Sequence, residues 1–280
     1  MPLEDVASVL ITAPAARIHA HFLAEASTHH IPVVICENFR PMGIFIPVGR
    51  SMDTLLTRAQ ILLTKRTKES LWLKTLDAKC DNQYYFAAAL APLHAQLKQM
   101  DILCAQKTIT KEGACAHLYW QIYSGTLRID AFCRDPKESS GVNSLLNYAY
   151  AMLLTLTLQR LLCVGLDPMY GIGHVTHERA TPLAYDMMEP FRPLIDYWVF
   201  QWIQKQRHNE LPLDVCKDYK IYLRMCFDGT RLSLPPLNNL IQESIRGLRN
   251  AILDSNVRSY QPWLWRITKW DGFLSVSTFP

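Results

Sequence analysis

Over the first fifty positions apolar and polar residues change places in short runs. "VASVLIT" (6–12), "IPVVICE" (31–37) and "MGIFIPV" (42–48) read as strands, the last two joined by a turn at Asn38–Pro41. Between the first two, "PAARIHAHFLAEAS" (14–27) reads as a helix opened by Pro14, since proline is tolerated in a first turn. After Arg50 the apolar period lengthens to that of helices. Ser51 or Asp53 is placed to cap a helix over 54–65, and "RTK" at 66–68 reads as a connector. Residues 69–100 make one or two helices with a break at Pro92. A further helix spans 111–125 and ends near Gly125, and 126–142 is a polar loop. Asn143 or Ser144 caps the apolar segment 145–165, which Gly165 closes as a left-handed cap. An amphipathic helix over 196–210 presents Tyr197, Phe200 and Ile203, and the last helix, over 234–253, carries Arg246 and Arg249 on one side. The expected fold is α+β and mostly helical: a small β-rich domain over 1–65, then a large all-α domain over 66–280.

Composition narrows the class. The 280 residues are 49% hydrophobic and 19% charged, which excludes a disordered chain. A net charge of +4 permits an acidic partner without demanding one. The eight cysteines form no C-x-x-C pair, which argues against a zinc ribbon; they read as reduced, mostly buried thiols of a cytoplasmic protein. The first 22 residues lack the basic start of a signal peptide. Residues 145–165 are interrupted by Asn147, Thr155, Thr157, Gln159 and Arg160, so a buried bundle helix is favoured over a membrane span. Phosphate-binding glycine loops, serine-nucleophile elbows and dinucleotide fingerprints are absent from the sequence.

Candidate chemistry concentrates in "GIGHVTHERATPLAYDMMEPFRPLID" (171–196). Asp186 and Glu189, three apart, share a helix face where two carboxylates can hold a hard cation. The same placement is also explained by the positive end of the helix dipole. His174, between glycine and valine, is a metal ligand or a structural histidine, while His177 and Glu178 read as loop surface. Glu112 opens its helix behind Thr110, where the dipole again accounts for an acid. Gly113, Ala114 and Ala116 are small enough for another backbone to come close. Basic and aromatic residues interleave at "FRP" and "YWQIYSGTLRI", a mixture that serves either nucleic acid or an amphipathic core.

Taken in order, these segments resemble the CRISPR-associated integrase family of spacer acquisition over nearly the whole chain. "IPVVICENFRPMGIFIP" resembles the end of that family's N-terminal β domain, "LWLKTLDAKCDNQ" its W…K…NQ helix, and "KEGACAHLYW" its EG-x-x-A-x-x-YW helix. "NSLLNYAYAML" is similar to its N-x-LNYGY pattern, with Ala149 where glycine is common. "GLDPMYGIGH" and "DMMEPFRPLID" resemble its GLDP-x-x-G-x-x-H and D-L-MEPFRP-L-x-D segments.

The resemblance implies that Glu112, His174 and Glu189 are catalytic metal ligands, with Asp186 a neighbouring acid bound directly or through water. Mg²⁺ or Mn²⁺ is the implied cofactor, Mn²⁺ accepting imidazole more readily. The implied reaction is attack by the 3′-OH of a short DNA duplex on a phosphodiester at the edge of a CRISPR repeat. Arg192, Lys111 and Arg134 are candidates for nearby phosphate contacts. Implied partners are DNA, a second copy of the chain, the small ferredoxin-like adaptation subunit, and, because "MEPFRP" is most similar to the type II version, a Cas9-type effector; no membrane is implied. In the family, strands precede the segment that here starts at Met1, so the β domain is expected to be incomplete and its dimer contacts weaker. The Trp-rich tail has no counterpart in the family pattern. Two other readings fit the same ligands: a stand-alone metal-dependent nuclease on branched DNA, and an inactive DNA-binding scaffold.

Overall fold

A computed structural model describes residues 3–13, 15–37, 40–47, 54–127, 132–174, 181–207, 214–229 and 236–265. Three strands, β1 (Val9–Ile11), β2 (Val33–Glu37) and β3 (Arg40–Phe45), form one sheet in that order. β1 runs parallel to β2, so the chain must cross over between them, and α1 (Ala20–Thr28) is the crossover. β2 and β3 are antiparallel with a register shift at Ile35/Cys36. α1 starts at Ala20, behind the N-cap His19, whose side chain accepts from the His21 amide. It is shorter than the expected helix from Pro14, because its apolar residues Phe22, Leu23 and Ala26 are the ones that meet Val33 and Ile31 beside the sheet. Alternation along β2 divides its side chains: Val33 packs with α1, while Val34 and Cys36 join the core of the helical body.

The body comprises α2 (Thr54–Ile61), α3 (Lys65–Leu90), α4 (Gln96–Ala105), α5 (Lys111–Leu127), α6 (Gly141–Cys163), α7 (Pro182–Met188), α8 (Arg192–Arg207), α9 (Lys217–Phe227) and α10 (Leu237–Leu253). A 3₁₀ turn, Glu189–Phe191, joins α7 to α8. The architecture is the expected one, a small N-terminal sheet followed by helices. α6 is central and buried on several sides, packing on α7, α8 and α10, which explains its near-continuous apolar character. No helix among the described residues is long and apolar enough to cross a membrane.

Several local expectations need correction. Residues 66–68 are not a connector but the first turn of α3, because Thr64 Oγ1 accepts from the Thr67 amide at 3.2 Å and caps the helix one turn earlier. α5 passes Gly125 and ends at the fully buried Leu127. The cap position of α6 is Ser140; Asn143 and Ser144 lie inside its first turn. Gly165 does close α6, at φ +81°. α8 begins at Arg192, four residues before Asp196, and α9 has no counterpart in the sequence reading. Four of the eight cysteines are buried, while Cys133 and Cys216 are exposed. The turn residue Asn38, the candidate caps Ser51 and Asp53, and His177 and Glu178 lie outside the described residues.

Candidate active site

One face of α3 organises the centre. Trp72, Lys79 and Asn82 are spaced by seven and then three residues, which aligns them along a helix. Trp72 meets the His174 ring edge-on, with centroids 5.5 Å apart. Lys79 lies between two carboxylates, its Nζ 2.5 Å from Glu112 Oε1 and 2.6 Å from Glu189 Oε2. One turn on, Asn82 Nδ2 donates to the Pro190 carbonyl at 2.7 Å and to that of Trp263 at 3.1 Å. Asn82 Oδ1 accepts from the Trp265 amide at 2.8 Å. The 3₁₀ turn that carries Glu189 is thereby fastened to α3. The described part of the Trp-rich tail packs over the helical body, with Trp263 stacked on Phe191 and Trp265 on Phe86.

The loop 171–174 is wrapped around Asp186. This carboxylate is fully buried and accepts from the amides of Ile172 (2.6 Å), Gly173 (3.0 Å) and His174 (2.9 Å). Its Oδ1 also lies 2.7 Å from His174 Nδ1. With its oxygens engaged in this way, Asp186 orients the ring: as an acceptor it selects the Nδ1–H tautomer and leaves the lone pair on Nε2. The glycines of "GIGH" are dictated by crowding. A Cβ at Gly171 would fall 2.4 Å from the His174 carbonyl oxygen, and one at Gly173 would fall 2.3 Å from the Trp72 ring.

Glu189 is buried, and its Oε1 lies 2.9 Å from Arg192 Nε. Burial pushes its carboxyl up, but Arg192 and Lys79 more than offset this and hold it below the usual carboxylate range. The reverse acts on Lys79: burial lowers it, and Glu189 and Glu112 raise it above an ordinary lysine. Glu189 Oε2 has no correctly aimed hydrogen-bond donor despite the ammonium at 2.6 Å. The two form a close ion pair, and Lys79 gives its directed hydrogen bond to Glu112 Oε1. Among the described residues no three His, Cys, Asp or Glu groups stand close enough to hold a metal together. Two carboxylates converge on one positive charge and a buried acid orients the nearby imidazole; oxygen and imidazole donors are the types that Mg²⁺ and Mn²⁺ accept.

The three basic candidates separate. The Arg192 guanidinium lies 5.0 Å from the centre of the Tyr150 ring, beside Glu189. Arg134 lies 5.5 Å from the same ring and donates to Asn143 Oδ1 (2.9 Å) and Asn147 Oδ1 (2.8 Å), tying the loop before α6 to that helix. Lys111 does not reach a phosphate-binding surface. Its side chain is fully buried, and Nζ donates to Asp77 Oδ1 and to the carbonyls of Cys104 and Gln106 at 2.6–2.8 Å, joining α3, α4 and α5. Under Tyr150 lies a buried acid that the sequence reading passed over. Asp196 accepts from the hydroxyls of Tyr119 (2.8 Å) and Tyr150, and burial raises its pKa to about 6 against those two hydrogen bonds. The small residues Gly113 and Ala114 face outward and admit no other part of the described chain. The aromatics of "YWQIY" pack among Phe86, Phe132 and Phe200, as the core half of their ambiguous pattern required. Lys79 and Asn82 stood in the quoted "KCDNQ" without a role; their i, i+3 spacing was the available signal.

The profile of the family described as CRISPR associated protein Cas1 matches residues 1–224. The CRISPR-associated endonuclease Cas1 of Neisseria meningitidis serogroup C is 28% identical over 218 residues, covering 74% of this chain and 68% of that protein. A Pyrobaculum aerophilum protein with the same name is 34% identical over 220 residues, 72% of each chain. Among solved structures, a Cas1 protein from Thermotoga maritima superposes with a TM-score of 0.71 at 17% identity, over 90% of this chain and 88% of that one. A casposase bound to integration product gives 0.73 at 18% identity, over 97% and 84%. The profile match over most of the chain shows that the chain belongs to the Cas1 family of CRISPR-associated proteins.

Proposed function

We propose that this chain is a metal-dependent DNA endonuclease and integrase that inserts short DNA into a CRISPR array. The observation that carries the reading is the convergence of Glu112 and Glu189 on one cationic position beside a histidine held by Asp186. The names of similar proteins support it: endonucleases among the relatives, and among the folds a casposase bound to integration product and a partial Cas6-RT-Cas1–Cas2 complex.

In the proposed reaction the 3′-oxygen of an incoming strand forms a new bond to phosphorus while the bond to the leaving 3′-oxygen breaks; the proton of the attacking hydroxyl ends on the leaving oxygen. Glu112, Glu189 and His174 Nε2 would hold Mg²⁺ or Mn²⁺, which when bound supplies Lewis-acid polarisation of the phosphoryl group. Asp186 keeps the imidazole in the required tautomer and aim. Arg192, paired with Glu189 and lying against the Tyr150 ring, would meet a non-bridging phosphate oxygen. Arg134 is a secondary candidate, because part of its fork is engaged by Asn143 and Asn147. A second copy of the chain and the small adaptation subunit are the proposed protein partners.

The test mixes the protein, its small partner, a short duplex with 3′-OH ends and a supercoiled plasmid bearing a repeat array, in Mg²⁺ or Mn²⁺. Strand transfer at repeat borders that disappears in Glu112→Ala and in His174→Ala is expected. Transfer that persists in both variants would overturn the site, and DNA binding without any turnover would favour the scaffold.

A further inference from the structure

Lys79 is in an unusual position for a lysine. Its side chain is 12% exposed, and its ammonium makes its two closest contacts with oxygens of Glu112 and Glu189, the two acids assigned to the cation. Those acids come from α5 and from the turn before α8, and no helical hydrogen bond joins one segment to the other. Without a positive charge between them, two carboxylates at this spacing repel one another, and one of them is buried. Arg192 takes the Oε1 of Glu189 and leaves Oε2 to the lysine. The lysine donates a directed hydrogen bond to Glu112 Oε1, while Oε2 of Glu189 lacks an aligned donor. A lysine stem is flexible, and α3 is anchored independently of it by Trp72 and Asn82.

We propose that Lys79 is the resident counter-ion of the Glu112–Glu189 pair: its ammonium holds the two acids together in the metal-free chain, and a divalent cation enters by displacing it. Lys79 is thus a positioning residue that assembles the site before the metal arrives and lowers the site's affinity for it. The proposal rests on the cation site argued above. Removing the lysine charge leaves the acids unsatisfied without metal and free for it, so stability and affinity should move in opposite directions.

The experiment measures Mn²⁺ binding by titration calorimetry, and melting temperature with and without Mn²⁺, for the full chain and for Lys79→Met and Lys79→Gln. Expected are a lower melting temperature without metal, a larger rise on adding Mn²⁺, and Mn²⁺ affinity at least tenfold higher than in the parent. Equal or weaker affinity in a folded variant would overturn the proposal. A second measurement needs no variant: amine acetylation of Lys79, followed by mass spectrometry, should be slow without metal and several-fold faster with Mn²⁺. Unchanged labelling in a chain shown to bind Mn²⁺ would also overturn it. If the parent and both variants take up no Mn²⁺, and Glu112→Gln changes nothing, the cation site itself is wrong and the proposal falls with it.

Discussion

Gly173 lies against the indole of Trp72 so closely that a Cβ there would fall 2.3 Å from ring atom Cδ2. The contact sets how near the loop of His174 comes to α3. Gly173→Ala should therefore push the loop off the ring, cost about 1–3 kcal/mol as an overpacked site does, and lower strand transfer at least tenfold. Shrinking the partner with Trp72→Leu in the same chain should restore part of both. Urea denaturation of the two single variants and the double variant checks it; simple additivity would show that the contact does not govern the loop.

Asp186 organises its loop through three amides and one imidazole. Asp186→Asn retains one acceptor oxygen and turns an amide NH₂ toward donors that need an acceptor. A loss of about 2–3 kcal/mol is expected, since hydrogen bonds to charged groups contribute roughly 1.5–3 kcal/mol. Activity should fall about 10–100-fold, the loss typical of removing a group that orients a metal's ligand, which is the role proposed for Asp186. Full activity in the variant would mean that His174 is aimed by something else.

Asn82 ties α3 to the Pro190 carbonyl and to the tail at Trp263 and Trp265. Asn82→Ala should cost about 1–3 kcal/mol, because buried carbonyls and an amide lose their partner. The tryptophan fluorescence of the folded state should shift as the tail loosens. A changed spectrum with unaltered integration would separate the tail's role from the chemistry.

Two buried carboxylates should give stability opposite dependences on pH. Asp196 has a folded pKa of about 6 against an ordinary 3.8, so its contribution is fully present below the unfolded value and is lost as pH rises through about 6. Glu189 is depressed, so its contribution is present above the ordinary carboxylate pKa and is lost as pH falls through the folded value. Asp196→Asn removes the first dependence. Its stability deficit relative to the parent should shrink from about pH 4 to about pH 6, measured by urea denaturation at each pH; a deficit that grows over that window would contradict the assignment.

Much of this protein was legible in its one-dimensional pattern. The alternation of residues 31–48 marked β2 and β3, the helical period marked α3, α5, α6 and α10, and Gly165 marked the end of α6. These features depend on local physics: side-chain period, caps and the handedness of single residues. The motif order also identified the family. What the sequence left open were questions whose answers lie between segments. Asp186 and Glu189, three residues apart, share one helix face by spacing, and the resemblance ranks Glu189 as ligand and Asp186 as neighbour; the fold supplies what each meets, the 171–174 loop for one and Lys79 and Arg192 for the other. Lys111 read as a candidate phosphate contact, and Lys79 carried no role of its own. Tertiary packing buries the first among carbonyls and sets the second between two glutamates. Burial and neighbouring charge are properties of assembled helices, and contacts between residues 33, 77 or 108 positions apart leave no period in the chain that builds them.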